Sequence, residues 1–203
     1  LTTLKITAIS AVLGFVLGVL LSLIKISKCR PLNWFGTFYT SIFRGTPLLV
    51  QLCIVHFGLP QLTGMTLTTM QSGVLTFSLN SAAYISEIFR GGINGVDKGQ
   101  YEAAMSLGVG YRDMMKDIIL PQAVKHILPS LVNEAISLLK ESSILSYIGA
   151  VELLRAADQI TVLTFRFFEP YLVIAVIYYI LVMILSMVAS RLERWVNRSD
   201  RVS

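Results

Sequence analysis

Between Arg44 and Glu87 the sequence carries no Asp, Glu, Lys or Arg, and a second charge-free run fills Ile6–Ile24. Runs of this kind are suited to hydrocarbon, where a helix satisfies all of its own backbone polar groups. A helix needs about 20 apolar residues to cross the bilayer core. The Arg44–Glu87 run is too long for one span and is broken by Gly58, Pro60 and Gly64. It therefore divides into spans at 46–59 and 69–89, the first short unless its helix begins before Arg44. With 6–24, a fourth span at 127–151 and a fifth at 170–190, the reading is an all-α membrane protein of about five transmembrane helices. Pro170 suits the first turn of the last span. Residues 1–203 form one domain.

Composition agrees, since 54% of the 203 residues are hydrophobic and only 14% are charged. A soluble domain is nearer to about a quarter charged. Disordered, collagen-like and disulfide-stapled chains are excluded. Cys29 and Cys53 have no CxxC or Cys/His spacing, so no metal site and no redox pair is expected. The net charge of +5 falls between apolar runs rather than on a soluble patch, so no nucleic-acid partner is expected. The sequence opens at Leu1 rather than Met, so the true start is expected upstream. Ile6–Ile24 is too long for a cleavable leader and lacks a small-residue cleavage site.

Lysine and arginine set the orientation. Lys25, Lys28, Arg30 and Arg44 lie between spans one and two, and Arg90, Lys98, Arg112, Lys116 and Lys125 between three and four. Arg191, Arg194, Arg198 and Arg201 follow span five, whereas the other side holds Lys5, Arg155 and Arg166. The N-terminus is expected outside and the C-terminus in the cytoplasm. Pro31–Phe43 carries Trp34, Phe35, Phe38, Tyr39, Ile42 and Phe43. That stripe fits either an amphipathic helix on the interface or an aromatic belt at a span's end.

The cytoplasmic loop, 91–121, reads as two short helices. Asp97 is a good N-cap with Gln100 in the capping-box position, for a helix from Lys98 to Leu107 that Gly108 ends in a left-handed turn. Tyr101, Ala104, Met105 and Gly108 fall on one face as a small apolar knob, with Glu102 and Lys98 beside it. A second helix is expected from Gly110 to Leu120, ended by Pro121.

Glu102-Ala103-Ala104, three residues, Gly108, nine residues, then Ile118-x-Leu120-Pro121 is the pattern of the EAA loop. It resembles the permease subunits of ABC importers. Phe43–Gln51 (FRGTPLLVQ), Ala83–Gly92 (AYISEIFRGG) and Leu138–Ser143 (LLKESS) are similar to the polar-amino-acid branch of that family, in which many members have Asp or Asn where Glu141 stands. The resemblance implies a type I importer fold and a non-catalytic subunit, with no cofactor of its own. Two permease chains, identical or related, form the path in a bacterial inner membrane. Two ATPase subunits hold ATP-Mg, and a substrate-binding protein docks outside. Tyr101, Glu102, Ala103, Ala104 and Gly108 belong to the coupling helix. The chain has no GxxxxGK[ST] phosphate loop.

Charges within spans are functional candidates, because each costs about 2.5 kcal/mol or more at mid-bilayer. Glu134, Ser137, Leu138 and Glu141 share a helix face, and Asn80, Tyr84 and Glu87 share another. The two faces are expected to line one cavity at matching depth. Glu87 is expected to pair with Arg90 or another cytoplasmic cation, Glu134 to face the path or bind Arg112 or Lys125, and Lys140 to bond a neighbouring helix. An ionised Glu141 suits a cation, and Asn80, Ser81, Ser142 and Ser143 are candidate donors to a substrate carboxylate. No arginine at that depth suits an acidic side chain, which favours arginine, lysine or histidine as substrate, with glutamine next. Ala11, Gly14, Gly18 and Ser22 mark a close-packing face on span one.

A secondary transporter is the rival of another class, but no internal repeat is evident. An intramembrane enzyme finds no support in His56 and His126, which lack HExxH or GxSxG context.

Overall fold

The computed structural model describes residues 2–27 and 29–196. Lys28, Arg198 and Arg201 of the orientation argument lie outside the described residues. The helices are α1 (Thr2–Ile26), α2 (Arg30–Gly45), α3 (Leu48–Cys53), α4 (Leu59–Thr63), α5 (Thr69–Asn94), α6 (Lys98–Ser106), α7 (Tyr111–Asp113), α8 (Leu120–Glu141), α9 (Leu153–Thr164) and α10 (Phe168–Val196). No strand occurs among the described residues.

Helices α1 and α10 are each long and apolar enough to cross a membrane, and α2 with the segment Leu48–Thr63 forms a third candidate, bent by 104°. Helices α5 and α8 are comparable in length, at 26 and 22 residues; α5 buries Ser72, Thr76, Asn80, Ser81 and Ser86, and α8 carries Glu134 half-buried. Helix α5 starts at a capping box, with Gln71 N donating to Thr68 Oγ1 and Thr68 N donating to Gln71 Oε1. The core gathers Ile6, Leu52, Phe77, Leu138 and Leu145 at one level, and Val96, Ala104, Met114, Ile119, Ala123 and Ile127 at the end that carries α6.

The small-residue face of α1 is buried against α5. A Cβ on Gly14 meets Ser81 Cβ at 2.9 Å, and one on Gly18 meets Ile85 Cγ2 at 2.6 Å and Ala82 O at 3.1 Å. Close approach is the source of helix adhesion in lipid, where apolar side chains gain little by leaving the acyl chains.

The span expected at 46–59 runs as one rod, Leu48–Thr63, with a π turn inside it. Helix α3 opens into a π turn, Ile54–Gly58, and re-forms as α4, which Gly64 ends at φ 72°. The corner before it follows from Pro47, whose ring keeps Thr46 extended at φ −121°. Gln51 Nε2 donates to Phe43 O at 2.8 Å and Thr46 O at 3.1 Å, satisfying carbonyls that the end of α2 leaves open. Asn80 Nδ2 donates to Phe43 O at 3.1 Å and to Gln51 Oε1 at 2.9 Å, which fastens the corner to α5.

Two expectations for the loop and span four change. Pro121 does not end a helix: α7, a π turn at Met114–Ile119 and α8 run on continuously, with Pro121 in the first turn of α8. In the π turn Leu120 N reaches back to Met115 O, so the ladder is already rewired where the proline N–H is missing. Span four, expected at 127–151, ends as an α-helix at Glu141 and continues as a 3₁₀ turn, Ser142–Ile148, closed by Gly149 at φ 84°. Glu141 is therefore the last residue of a helix that begins seven residues before 127, about 31 Å along its axis rather than near its middle.

Because the Gly18 Cβ position is walled by backbone as well as by Ile85, Gly18→Leu is expected to destabilise the bundle by about 1–3 kcal/mol, read as a lower melting temperature in detergent. Gly45→Ala, where no atom lies within 4 Å, is the matched control and leaves it unchanged.

Candidate translocation and coupling sites

Asp97 caps α6 by accepting from Gly99 N at 2.6 Å. The capping box expected with Gln100 does not form, because Gln100 Oε1 accepts from Gln122 Nε2 of α8 at 3.2 Å. The C-terminus is a Schellman turn: Gly108, at φ 73°, donates to Met105 O at 3.0 Å, and Val109 N donates to Ala104 O at 3.0 Å. The expected knob of Tyr101, Ala104, Met105 and Gly108 is divided. Ala104 is buried and Tyr101 is half-buried, its hydroxyl donating to Ile93 O, so this side of α6 packs on the bundle. Glu102, Ala103, Met105, Leu107 and Gly108 face outward, with Leu107 82% exposed. An exposed apolar edge on a capped, braced helix is shaped to seat in a partner's groove.

The two polar faces do not share one cavity. Asn80 is shut into the corner with Phe43 and Gln51, and Ser81 Oγ donates to Glu134 Oε1 at 2.8 Å. Glu134 thus takes its partner from α5, where the sequence offered Arg112 or Lys125. Ser142 is buried with its hydroxyl donating to Leu139 O, and half-buried Ser143 donates to Lys140 O. Glu141 is half-buried beside the 3₁₀ turn and makes no hydrogen bond or ion pair among the described residues. Lys140 is exposed and, among the described residues, likewise makes none, where a bond to a neighbouring helix was expected. A cavity of about 480 Å³ does separate α5 from α8, but Tyr84, Glu87, His126 and Ser130 line it rather than Asn80 and Glu141.

Glu87 is the electrostatic centre of the same end. It pairs with Lys25 of α1, accepts from Arg90 Nη2 at 2.6 Å, and has Arg44 Nη1 of α2 at 3.6 Å. Lys25 also donates to Thr40 at 3.1 Å, so one carboxylate ties three helices. The pairing with Arg90 matches the sequence expectation; Lys25, far away in sequence, carried no local signal.

At the other end Glu152, buried, caps α9 by accepting from Leu154 N at 2.8 Å and Arg155 N at 2.7 Å, and Tyr178 of α10 donates to it at 3.2 Å. His56 lies with Nδ1 at 2.8 Å from Ser72 Oγ. The locks at Gln51 and Glu152 were not read from the sequence. The signal available was a glutamine just after a proline corner in a charge-free run and a glutamate just before an apolar helix.

Residues 10–199 match the family model described as the binding-protein-dependent transport system inner membrane component. The chain belongs to this family. It is 52% identical over 198 residues to the arginine transport system permease protein ArtQ of Bacillus subtilis (strain 168), covering 98% of this chain and 90% of that one. It is 50% identical over 194 residues to GlnP of Rickettsia felis, a permease protein named for glutamine transport, covering 96% and 89%. A crystal structure of an amino acid ABC transporter with histidines superposes with a TM-score of 0.90 at 45% identity, over 95% of this chain and 89% of that one. The family is thus that of ABC amino acid importer permeases, with the type I importer fold expected from the EAA loop. Such a permease is an inner-membrane subunit and not itself an enzyme, and its family implies ATPase and substrate-binding partners.

Removing the Glu87 carboxylate leaves Lys25, only 8% exposed, facing two arginines. Glu87→Gln is expected to destabilise this permease by up to about 3 kcal/mol, and the pair Lys25→Met with Glu87→Met to recover most of it. Detergent-phase unfolding of the variants checks both outcomes.

Proposed function

We propose that this permease imports basic amino acids, with Glu141 as the recognition carboxylate. The observation that carries the reading is that Glu141, at the end of α8 where the helix tightens into a 3₁₀ turn, makes no hydrogen bond or ion pair among the described residues. An ionisable group in a membrane helix is costly unless something answers it, and a substrate ammonium or guanidinium does so. Ser142 and Ser143 stand beside it, Ser81 ties α8 to α5 through Glu134, and Asn80 holds the α2–α3 corner on α5. Carbonyl oxygens at the C-terminal end of α8 favour a cation beside Glu141 in the same sense. The name of ArtQ and the histidines of the solved transporter support the basic reading. The GlnP relative supports glutamine as the second reading.

In this assignment two ATPase subunits, carrying ATP-Mg, grip the outward edge of α6 at Glu102, Ala103, Met105 and Leu107. Tyr101 and Ala104 pass its movement to the bundle, and Gly108 holds the turn. A second permease chain, identical or related, completes the path. A substrate-binding protein docks on the far face, with the N-terminus outside and the C-terminus cytoplasmic. In this reading the five expected spans are taken to be α1, the rod α3–α4, α5, α8 and α10, of which α1 and α10 are by themselves long and apolar enough to cross.

Two measurements test these roles. In liposomes carrying the full importer, Glu141→Ala is expected to lower arginine uptake about tenfold or more and glutamine uptake much less, the loss of one charge–charge contact. Equal losses move selectivity away from Glu141. Gly108→Val strains a left-handed residue by about 1–3 kcal/mol. It is expected to leave substrate-stimulated ATP hydrolysis measurable while transport falls, and transport equal to wild type removes α6 from the coupling role.

A further inference from the structure

At the α6 end of the bundle, between α2 and the tip of α5, lies an open cavity of about 640 Å³. Thr37, Ser41 and Arg44 line it from α2, Lys25 from α1, and Glu87 and Arg90 from α5. Three cations surround one carboxylate, so the cluster carries two positive charges in excess. Glu87 spends one oxygen on Lys25 and the other on Nε and Nη2 of Arg90. The guanidinium of Arg44 stands outside hydrogen-bond reach of Glu87, 5.4 Å over the ring of Tyr84, and is 44% exposed. Its planar fork of donors is therefore available, and it fits a phosphate.

The neighbouring stripe of α2 is apolar. Residues 33, 37, 41 and 44 follow one line along the helix and 34, 38 and 42 the next, so the two stripes lie side by side. Trp34 and Phe38 are 67% and 51% exposed, and their rings stack at 5.4 Å. A basic recess edged by exposed aromatic rings, on an amphipathic helix at the end of a membrane bundle, places charge at headgroup level and apolar surface at acyl level.

We propose that this cavity binds the phosphate of an anionic phospholipid, with the acyl chains lying along Trp34 and Phe38. The inference depends on the membrane location and is independent of which amino acid is carried. The aromatic stripe favours a lipid over free phosphate, since a small anion makes no use of it.

The full chain, purified with its ATPase subunits in mild detergent, is tested by native mass spectrometry with phosphatidylglycerol, phosphatidylcholine or inorganic phosphate added. Phosphatidylglycerol is expected to be retained about tenfold better than phosphatidylcholine and to survive excess inorganic phosphate. Arg44→Gln, which leaves Glu87 paired with Lys25 and Arg90, is expected to reduce that retention about tenfold. Arg191→Gln, an exposed arginine outside this cavity, is expected to leave it unchanged. Ser41→Phe fills the recess without changing charge and is expected to act as Arg44→Gln does, so the site stays testable if either variant fails to assemble. Equal retention of the two lipids, equal effects of Arg44→Gln and Arg191→Gln, or displacement of the lipid by inorganic phosphate overturns the proposal.

Discussion

Everything else in the bundle depends on how closely α1 approaches α5. In lipid there is no gain in hiding one apolar surface against another, so adhesion rests on contact distance. Gly14 and Gly18 remove the side chains that would keep the backbones apart, and Ser81 and Ile85 move into the space. Once α1 is seated, Lys25 at its end reaches Glu87, and Glu87 gathers Arg90 and the region of α2 around it. The tip of α5 in turn positions the chain that enters α6. A packing constraint near the middle of α1 thus places the charged groups at one end.

Polar groups inside the bundle serve mostly as fasteners. Asn80 and Gln51 hold a corner, Ser81 joins Glu134, and Glu152 joins the start of α9 to Tyr178. Each link satisfies a group whose desolvation is otherwise uncompensated. Against that background Glu141 differs from Glu87, Glu134 and Glu152 in making no hydrogen bond or ion pair among the described residues, which is the ground for proposing it as the recognition group.

The class of fold was legible because charge-free runs and the EAA loop are local patterns. So were the small-residue face of α1, the cap at Asp97, the turn at Gly108 and the pairing of Glu87 with Arg90. What escaped were features set by distant partners or by a rewired backbone ladder. Pro121 reads as a stop only if the turn before it is an ordinary α turn, and the π turn at Met114–Ile119 removes that condition. Asn80 shares a face with Glu87 by periodicity, yet the carbonyl of Phe43, released by the Pro47 corner, captures it. The end of α8 at Glu141 was not legible either, because the apolar run continues through the 3₁₀ turn without a break in composition.

The unbroken course from Tyr111 through the π turn to Glu141 has a mechanical meaning. The rod is a lever whose short arm lies under α6, braced by Gln122 on Gln100, and whose long arm ends at an unpaired carboxylate. A tilt too small to disturb packing at the near end sweeps the far tip through a larger arc. With no loop in between to absorb a displacement, the wide turn at Met114–Ile119 is the one place among these turns where the backbone ladder is rewired, and so the natural point for the rod to flex.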